Sequence, residues 1–148
     1  MPRTSSSQAT STENLGFLLA KASQRFNELL VDRFATQGFG DVRASYGSVL
    51  VPLFERDGRR LGDLASAARL SKQAMTGLVK RCETDGLVER EGDPVDGRAF
   101  NVRLTARGRA LRAVADEILE ELDGELVKSV GPRNRDALIR ALKGVIAL

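Results

Sequence analysis

Histidine is absent from this 148-residue chain, and cysteine occurs once, at Cys82. Without histidine there is no His-based catalytic triad, and a zinc site built from Cys and His is excluded. A single thiol closes no disulfide within the chain, which suits a reducing compartment, and a cytoplasmic protein is expected. No apolar run approaches the roughly 20 residues that a membrane helix needs, so no membrane association is expected. Met1 to Thr12 is rich in Ser and Thr but lacks the hydrophobic segment of a signal peptide. Residues 1–11 therefore read as a disordered tail. A nucleotide-binding loop and internal repeats are missing too. Carboxylate or Ser/Lys chemistry stays formally open, but the chain is not expected to be an enzyme, and neither metal nor cofactor is expected.

What is present is an ordinary 42% of hydrophobic residues, enough to build a core. The net charge is only +3, yet it is unevenly spread. Residues 59–112 hold 12 Lys/Arg against 7 Asp/Glu, a surplus of five positive charges. Residues 113–131 hold one basic and six acidic residues. A basic middle segment is the footprint of a surface that meets phosphates, although a solvated mixed-charge surface has the same composition.

Hydrophobic periodicity divides the chain into short elements. Leu15, Leu18, Ala22, Phe26, Leu29 and Phe34 recur at helical spacing and predict a helix from about Thr12, its expected N-cap, to Thr36. Gly38 and Gly40 end it. A second helix is expected over about 43–56, with Pro52 kinking or splitting it. Two short helices follow, Leu61 to Ala68 and Ser71 to Thr84, joined by Arg69-Leu70. That pairing is the helix-turn-helix pattern. Leu87–Glu91 and Ala99–Leu104 read as strands flanking the turn-rich Gly92–Arg98 loop, which makes a β-hairpin wing. Thr105 caps a long helix to about Ser129, with Leu111, Val114, Ile118, Leu122 and Leu126 along one face. Gly131-Pro132 breaks the chain and opens a last helix to about Ala147. The expected fold is mainly α with a small β-hairpin wing. Residues 12–40 and 105–148 form dimerisation helices around a winged helix-turn-helix domain at 41–104.

The helix from Ser71 carries the most information. Met75, Leu78, Val79 and Cys82 fall at i, i+3, i+4 and i+7 and face inward, leaving Lys72, Gln73, Thr76, Lys80 and Arg81 outside. In a major groove, Gln pairs with adenine edges, Thr touches a thymine methyl, and Lys meets guanine or phosphate. Read alone, the segment is equally an amphipathic surface helix. The wing favours DNA. Arg98 near its tip is placed to enter a minor groove, and Asp96 is expected to hold that guanidinium by a bidentate contact. Arg103 and Ser71 complete the candidate DNA-facing set. The rival reading is a winged-helix module that binds protein instead. So many exposed cations argue against it. The outer helices carry more apolar surface than the chain readily hides, which predicts a homodimer, although a bundle closed within one protomer stays possible. Cys82, facing inward, reads as a small hydrophobe rather than a redox sensor.

These segments in order resemble the MarR family of winged helix-turn-helix transcription factors (multiple antibiotic resistance regulators). The likeness rests on Leu61-Gly62-Asp63-Leu64-Ala65, Ser71-Lys72-Gln73-Ala74-Met75 and Asp85-Gly86-Leu87-Val88-Glu89-Arg90. Asp93-Pro94-Val95-Asp96-Gly97-Arg98 and Leu104-Thr105-Ala106-Arg107-Gly108 complete it. The resemblance implies a two-fold dimer whose recognition helices enter successive major grooves of a pseudo-palindromic double-stranded DNA operator. It implies Arg98 in the minor groove with Asp96 beside it, and a repressor released by a small, often aromatic, effector. Phe17, Phe26, Tyr46 and Phe54 are the candidates to line the effector cleft. One departure stands out: Gly77 occupies a position where many members carry a DNA-contacting arginine.

Overall fold

The computed structural model describes residues 10–148. The tail expected over residues 1–11 lies, but for Thr10 and Ser11, outside the described residues. Helix α1 spans Leu15–Thr36. Its N-cap is Asn14 rather than the expected Thr12, because the chain turns between Ser11 and Asn14, where the Asn14 amide donates to the Ser11 carbonyl at 3.0 Å. Asn14 Oδ1 then accepts from the amides of Gly16 at 2.9 Å and Phe17 at 3.3 Å. Past α1, Gly38 takes a φ of +86°, a conformation that costs a glycine nothing.

A 3-10 turn at Ala44–Tyr46 leads into α2, Gly47–Glu55. The break expected at Pro52 thus falls earlier, and α2 runs through the proline. Pro52 removes a single amide bond near the helix end, and its own carbonyl still accepts from the Arg56 amide at 3.0 Å. A two-residue strand β1, Arg59–Arg60, precedes α3, Leu61–Ala68. Arg69, left-handed at φ 55°, links α3 to α4, Lys72–Thr84, with Ser71 as N-cap as expected. Strands β2, Val88–Gly92, and β3, Phe100–Leu104, each begin one residue later than expected. The sheet is antiparallel in the order β1-β3-β2, so the hairpin gains a third strand on the far edge of β3. Helices α5, Ala106–Val130, and α6, Pro132–Ile146, close the chain, the latter opened by Pro132 after Gly131.

This is a mainly helical chain with a small wing sheet. Its core lies where α2, α3, α4, the sheet and the first half of α5 meet: Val49, Leu53, Leu64, Met75, Val79, Cys82, Leu87, Val102 and Leu111 are all buried. The remaining helices project from that core. Phe34 is the buried residue of α1, and α6 buries none. Arg33 ties α1 to α5 through Glu125 at 2.6 Å and Glu121 at 3.5 Å. Arg135 ties α6 to α5 through Asp123 at 2.8 Å. Among the described residues, no helix is long and apolar enough to cross a membrane.

Candidate nucleic-acid interface

Helix α4 presents its outer face because its inner one is consumed by the core. Met75, Val79 and Cys82 have no exposed surface, and Leu78 is 8% exposed. Ser71 Oγ accepts from the Ala74 amide at 3.1 Å, so this residue fixes where the helix begins. Lys72 is exposed, its aliphatic stem lying beside Gly62 of α3, with Cε 3.5 Å from where a Cβ would stand there. Gln73 and Lys80 are exposed, and neither side chain has a hydrogen-bond or ion-pair partner among the described residues. The Thr76 hydroxyl is turned back onto the helix, donating to the Lys72 carbonyl at 2.7 Å, which leaves its methyl group as the outward feature.

The wing hairpin sets Arg98 apart from its neighbours. Arg90 pairs with Glu83 at 3.4 Å and lies 4.8 Å from the centre of the Phe100 ring. Arg60 pairs with Asp93 at 2.6 Å. Arg103 pairs with Glu91 across the β2–β3 ladder, where Glu89, not Glu91, is its register partner. Arg103, a candidate DNA-facing residue by sequence, is thus a paired cation: on an antiparallel pair, diagonal neighbours on one face are within reach of long side chains. Arg98 has no carboxylate partner among the described residues. Asp96 does not clamp the Arg98 guanidinium, as expected, but accepts the Arg98 backbone amide at 3.1 Å. A short Asp side chain two residues upstream reaches the main chain more readily than the end of an extended arginine. Asp96 thus shapes the loop and leaves the guanidinium free.

Arg98, Lys72 and Arg60 line one groove of about 260 Å³ between the wing, the start of α3 and the start of α4. Its floor includes Gly62 and Phe100, and Asp63 is its acidic member. Sequence reasoning passed over Arg60 and Asp93. The Arg59-Arg60 pair was visible as two basic residues, but nothing local couples positions 33 apart.

A second opening, of about 520 Å³, lies between α1, α2 and α5. Phe26, Tyr46 and Phe54 line it, with Arg43 and Arg112 among the polar residues. Phe17 does not. It stands two and a half turns before Phe26, hence on the opposite side of α1, where its ring lies 5.6 Å from the Lys21 ammonium. The Tyr46 ring is buried, and its hydroxyl donates to Asp85 Oδ2 at 2.5 Å, just past the end of α4. Burial first, and then this bond, push its phenol up to about 12. Asp85 also offers its carbonyl to the Arg107 guanidinium at 2.6 Å, and Arg107 holds Asp41 at 2.8 Å. That guanidinium keeps the Asp41 carboxyl below the usual carboxylate range.

The geometry of a helix-turn-helix beside a three-stranded wing finds its counterpart in known proteins. A sequence model described as MarR family matches residues 53–99, from the end of α2 to the end of the wing loop. Over that stretch, about a third of its length, the chain is similar to the MarR family. Among the curated proteins it resembles is an HTH-type transcriptional repressor of Mycobacterium tuberculosis, 32% identical over 85 residues, which cover 57% of this chain and 61% of the relative. The chain thus spans about three fifths of the length of the curated relatives it matches first. Solved structures agree over more of the chain. The transcriptional repressor CouR bound to a 23-mer DNA duplex has a TM-score of 0.79 and is 27% identical, covering 91% of this chain and 94% of its own. A probable transcriptional regulator from Pseudomonas aeruginosa has a TM-score of 0.78 and 25% identity, covering 90% and 97%. One position sets the chain apart from the pattern it resembles, Gly77. The space left by its missing side chain is occupied from one turn further on: the Arg81 guanidinium lies 3.9 Å from where a Cβ at Gly77 would stand.

Proposed function

We propose that the protein is a sequence-specific transcriptional regulator that binds double-stranded DNA as a homodimer, and that it acts as a repressor released by a small aromatic effector. The observation that carries the reading is Arg98: a wing-tip cation without a carboxylate partner, sharing a groove with Lys72 at the start of α4. The DNA-bound repressor CouR, similar in fold and 27% identical, supports it. In this reading α4 enters a major groove, with Ser71, Lys72, Gln73, Thr76, Lys80 and Arg81 toward the duplex. Arg98 enters the adjacent minor groove, where negative potential is concentrated. Residues 41–104 form the DNA-binding unit, and the helices at 12–40 and 105–148 form the dimer.

Dimerisation is supported by apolar surface that the protomer leaves open. Leu15 is 66% exposed, Leu18 49% and Ile146 65%, on helices that project from the core. A large uncovered apolar surface calls for a partner, and a second copy supplies the two-fold symmetry of a pseudo-palindromic operator. The effector reading rests on the cleft lined by Phe26, Tyr46 and Phe54, which is mostly apolar with a few polar groups.

The test is fluorescence anisotropy against the DNA just upstream of the protein's own gene, with scrambled DNA as competitor and salt varied. Binding is expected to be tight, to resist the competitor, and to weaken steeply with salt, each phosphate contact contributing about one unit of log–log slope. Arg98→Ala is expected to weaken it more than about tenfold, the scale of one good groove contact. A flat salt response and an unaffected Arg98→Ala variant would favour a protein-binding wing instead.

A further inference from the structure

The wing loop is held by more than its own turn. At its first residue, Asp93 Oδ1 accepts from the amides of Val95 at 2.8 Å and Asp96 at 3.3 Å. Its other oxygen accepts from the Arg60 guanidinium at 2.6 Å. The Asp93 side chain is only 8% exposed, although Val95 two residues on is 91% exposed. Across the loop, the Asp93 amide donates to the Ala99 carbonyl at 3.1 Å and the Ala99 amide to the Asp96 carbonyl at 3.0 Å. Arg60 stands on the other side of the sheet: β1 pairs with β3, Arg60 opposite Asn101, and Arg60 is also the residue from which α3 starts.

We propose that Arg60 and Asp93 form a clasp that positions the wing, fixing the loop that carries Arg98 relative to the start of α3 and, through it, to α4. This rests on the DNA-binding reading above. Arg60 would otherwise be one more cation for phosphate, but its guanidinium is already committed to Asp93. Asp93 would otherwise be a liability, a negative charge at the edge of a surface that meets phosphates. The clasp gives both residues a purpose. A loop already ordered loses less freedom when it enters a groove, so the contact by Arg98 is made at lower entropic cost.

The two roles predict opposite signs. If Asp93 acted only through its charge, Asp93→Asn would bind DNA more tightly. The clasp predicts that Asp93→Asn binds about tenfold more weakly, the scale of ordering one or two side chains. Its log–log salt slope should stay unchanged, because no phosphate contact is lost. Arg60→Leu should lose a similar factor, the double variant little more than either alone, and Arg60→Lys should recover most of the affinity. A DNA-free readout accompanies these: trypsin should cut after Arg98 several-fold faster in Asp93→Asn than in the wild type, with the melting temperature nearly unchanged. Tighter binding by Asp93→Asn, strictly additive losses, or an unchanged tryptic rate would overturn the clasp. Weakening by Arg98→Ala beside an unaffected Asp93→Asn would overturn the clasp alone. Failure of the wild type to bind any duplex would overturn the DNA reading along with it.

Discussion

Gly108, in the first turn of α5, shows how one residue type is dictated by a close approach. A Cβ built there runs into the Leu87 carbonyl oxygen and comes within 3.2 Å of the Leu104 side chain. The carbonyl is backbone, already accepting the Thr105 amide at 3.1 Å, and cannot swing away. Gly108→Ala is therefore expected to destabilise the fold by about 3 kcal/mol, at the upper end of overpacking costs, despite a helix propensity that favours alanine. Urea denaturation measures it, and a neutral effect would mean that α5 shifts freely against the sheet. Two buried acids make a second prediction at this scale. Burial, and to a lesser degree the charge of Asp85, push the Cys82 thiol up to about 12 from its ordinary 9.0, while Arg81 pulls the other way. The Tyr46 phenol rises to about 12 from 10.0. Both groups hold their protons more tightly folded than unfolded. Their stabilisation is complete below the unfolded values and is lost as pH rises from about 9 toward 12. The urea midpoint should fall through that window, and less steeply in Tyr46→Phe. Cys82 should also resist thiol reagents near neutral pH, where almost none of it is thiolate.

At the scale of elements, the helix starts decide the local geometry. Thr105 Oγ1 accepts from the Gly108 amide at 3.1 Å and donates to the Gly86 carbonyl at 2.5 Å, so one hydroxyl caps α5 and pins the turn before β2. Thr105→Ala is expected to cost about 1–2 kcal/mol, read as a lower thermal midpoint, whereas Thr105→Ser should retain most of it. Ser71 and Thr105 could be named from sequence because each is a capping residue type that directly follows a turn or a strand and opens a stretch with helical periodicity. Asn14 could not be told from Thr12: both are capping types, and the choice fell to the turn from Ser11. The strand β1 was hidden for a different reason. Two residues carry no alternation, and Arg59–Arg60 is a strand only because Asn101 and Val102 of β3 lie beside it.

For the whole molecule, the open question is what covers the projecting helices. Leu119 of α5 is 42% exposed and Phe26 of α1 likewise 42%, and both line an opening between those helices. In the proposed dimer this surface is closed by the second copy. Leu119→Glu is expected to shift the species seen in analytical ultracentrifugation from two protomers toward one. It should weaken binding to a two-half-site duplex far more than to a single half-site, because the linked contribution of the second recognition helix is lost. A monomeric wild type would overturn the assignment.

By itself the sequence determined the order of the six helices and the two wing strands, and the inward face of α4. The 3.6-residue and two-residue periods report burial directly, and Met75, Leu78, Val79 and Cys82 are buried as their spacing requires. It also determined that the wing is a turn-rich loop between two strands, and that its tip carries Arg98. Tertiary structure alone decided which charges remain available. Arg60, Arg90, Arg98 and Arg103 look equivalent along the chain, yet three of them are paired with Asp93, Glu83 and Glu91. Ion pairing depends on distances set by sheet register and loop conformation, not by spacing in the sequence. The same holds for Asp96, which bonds the Arg98 amide instead of its guanidinium, and for Phe17, which the turn of α1 carries away from the cleft.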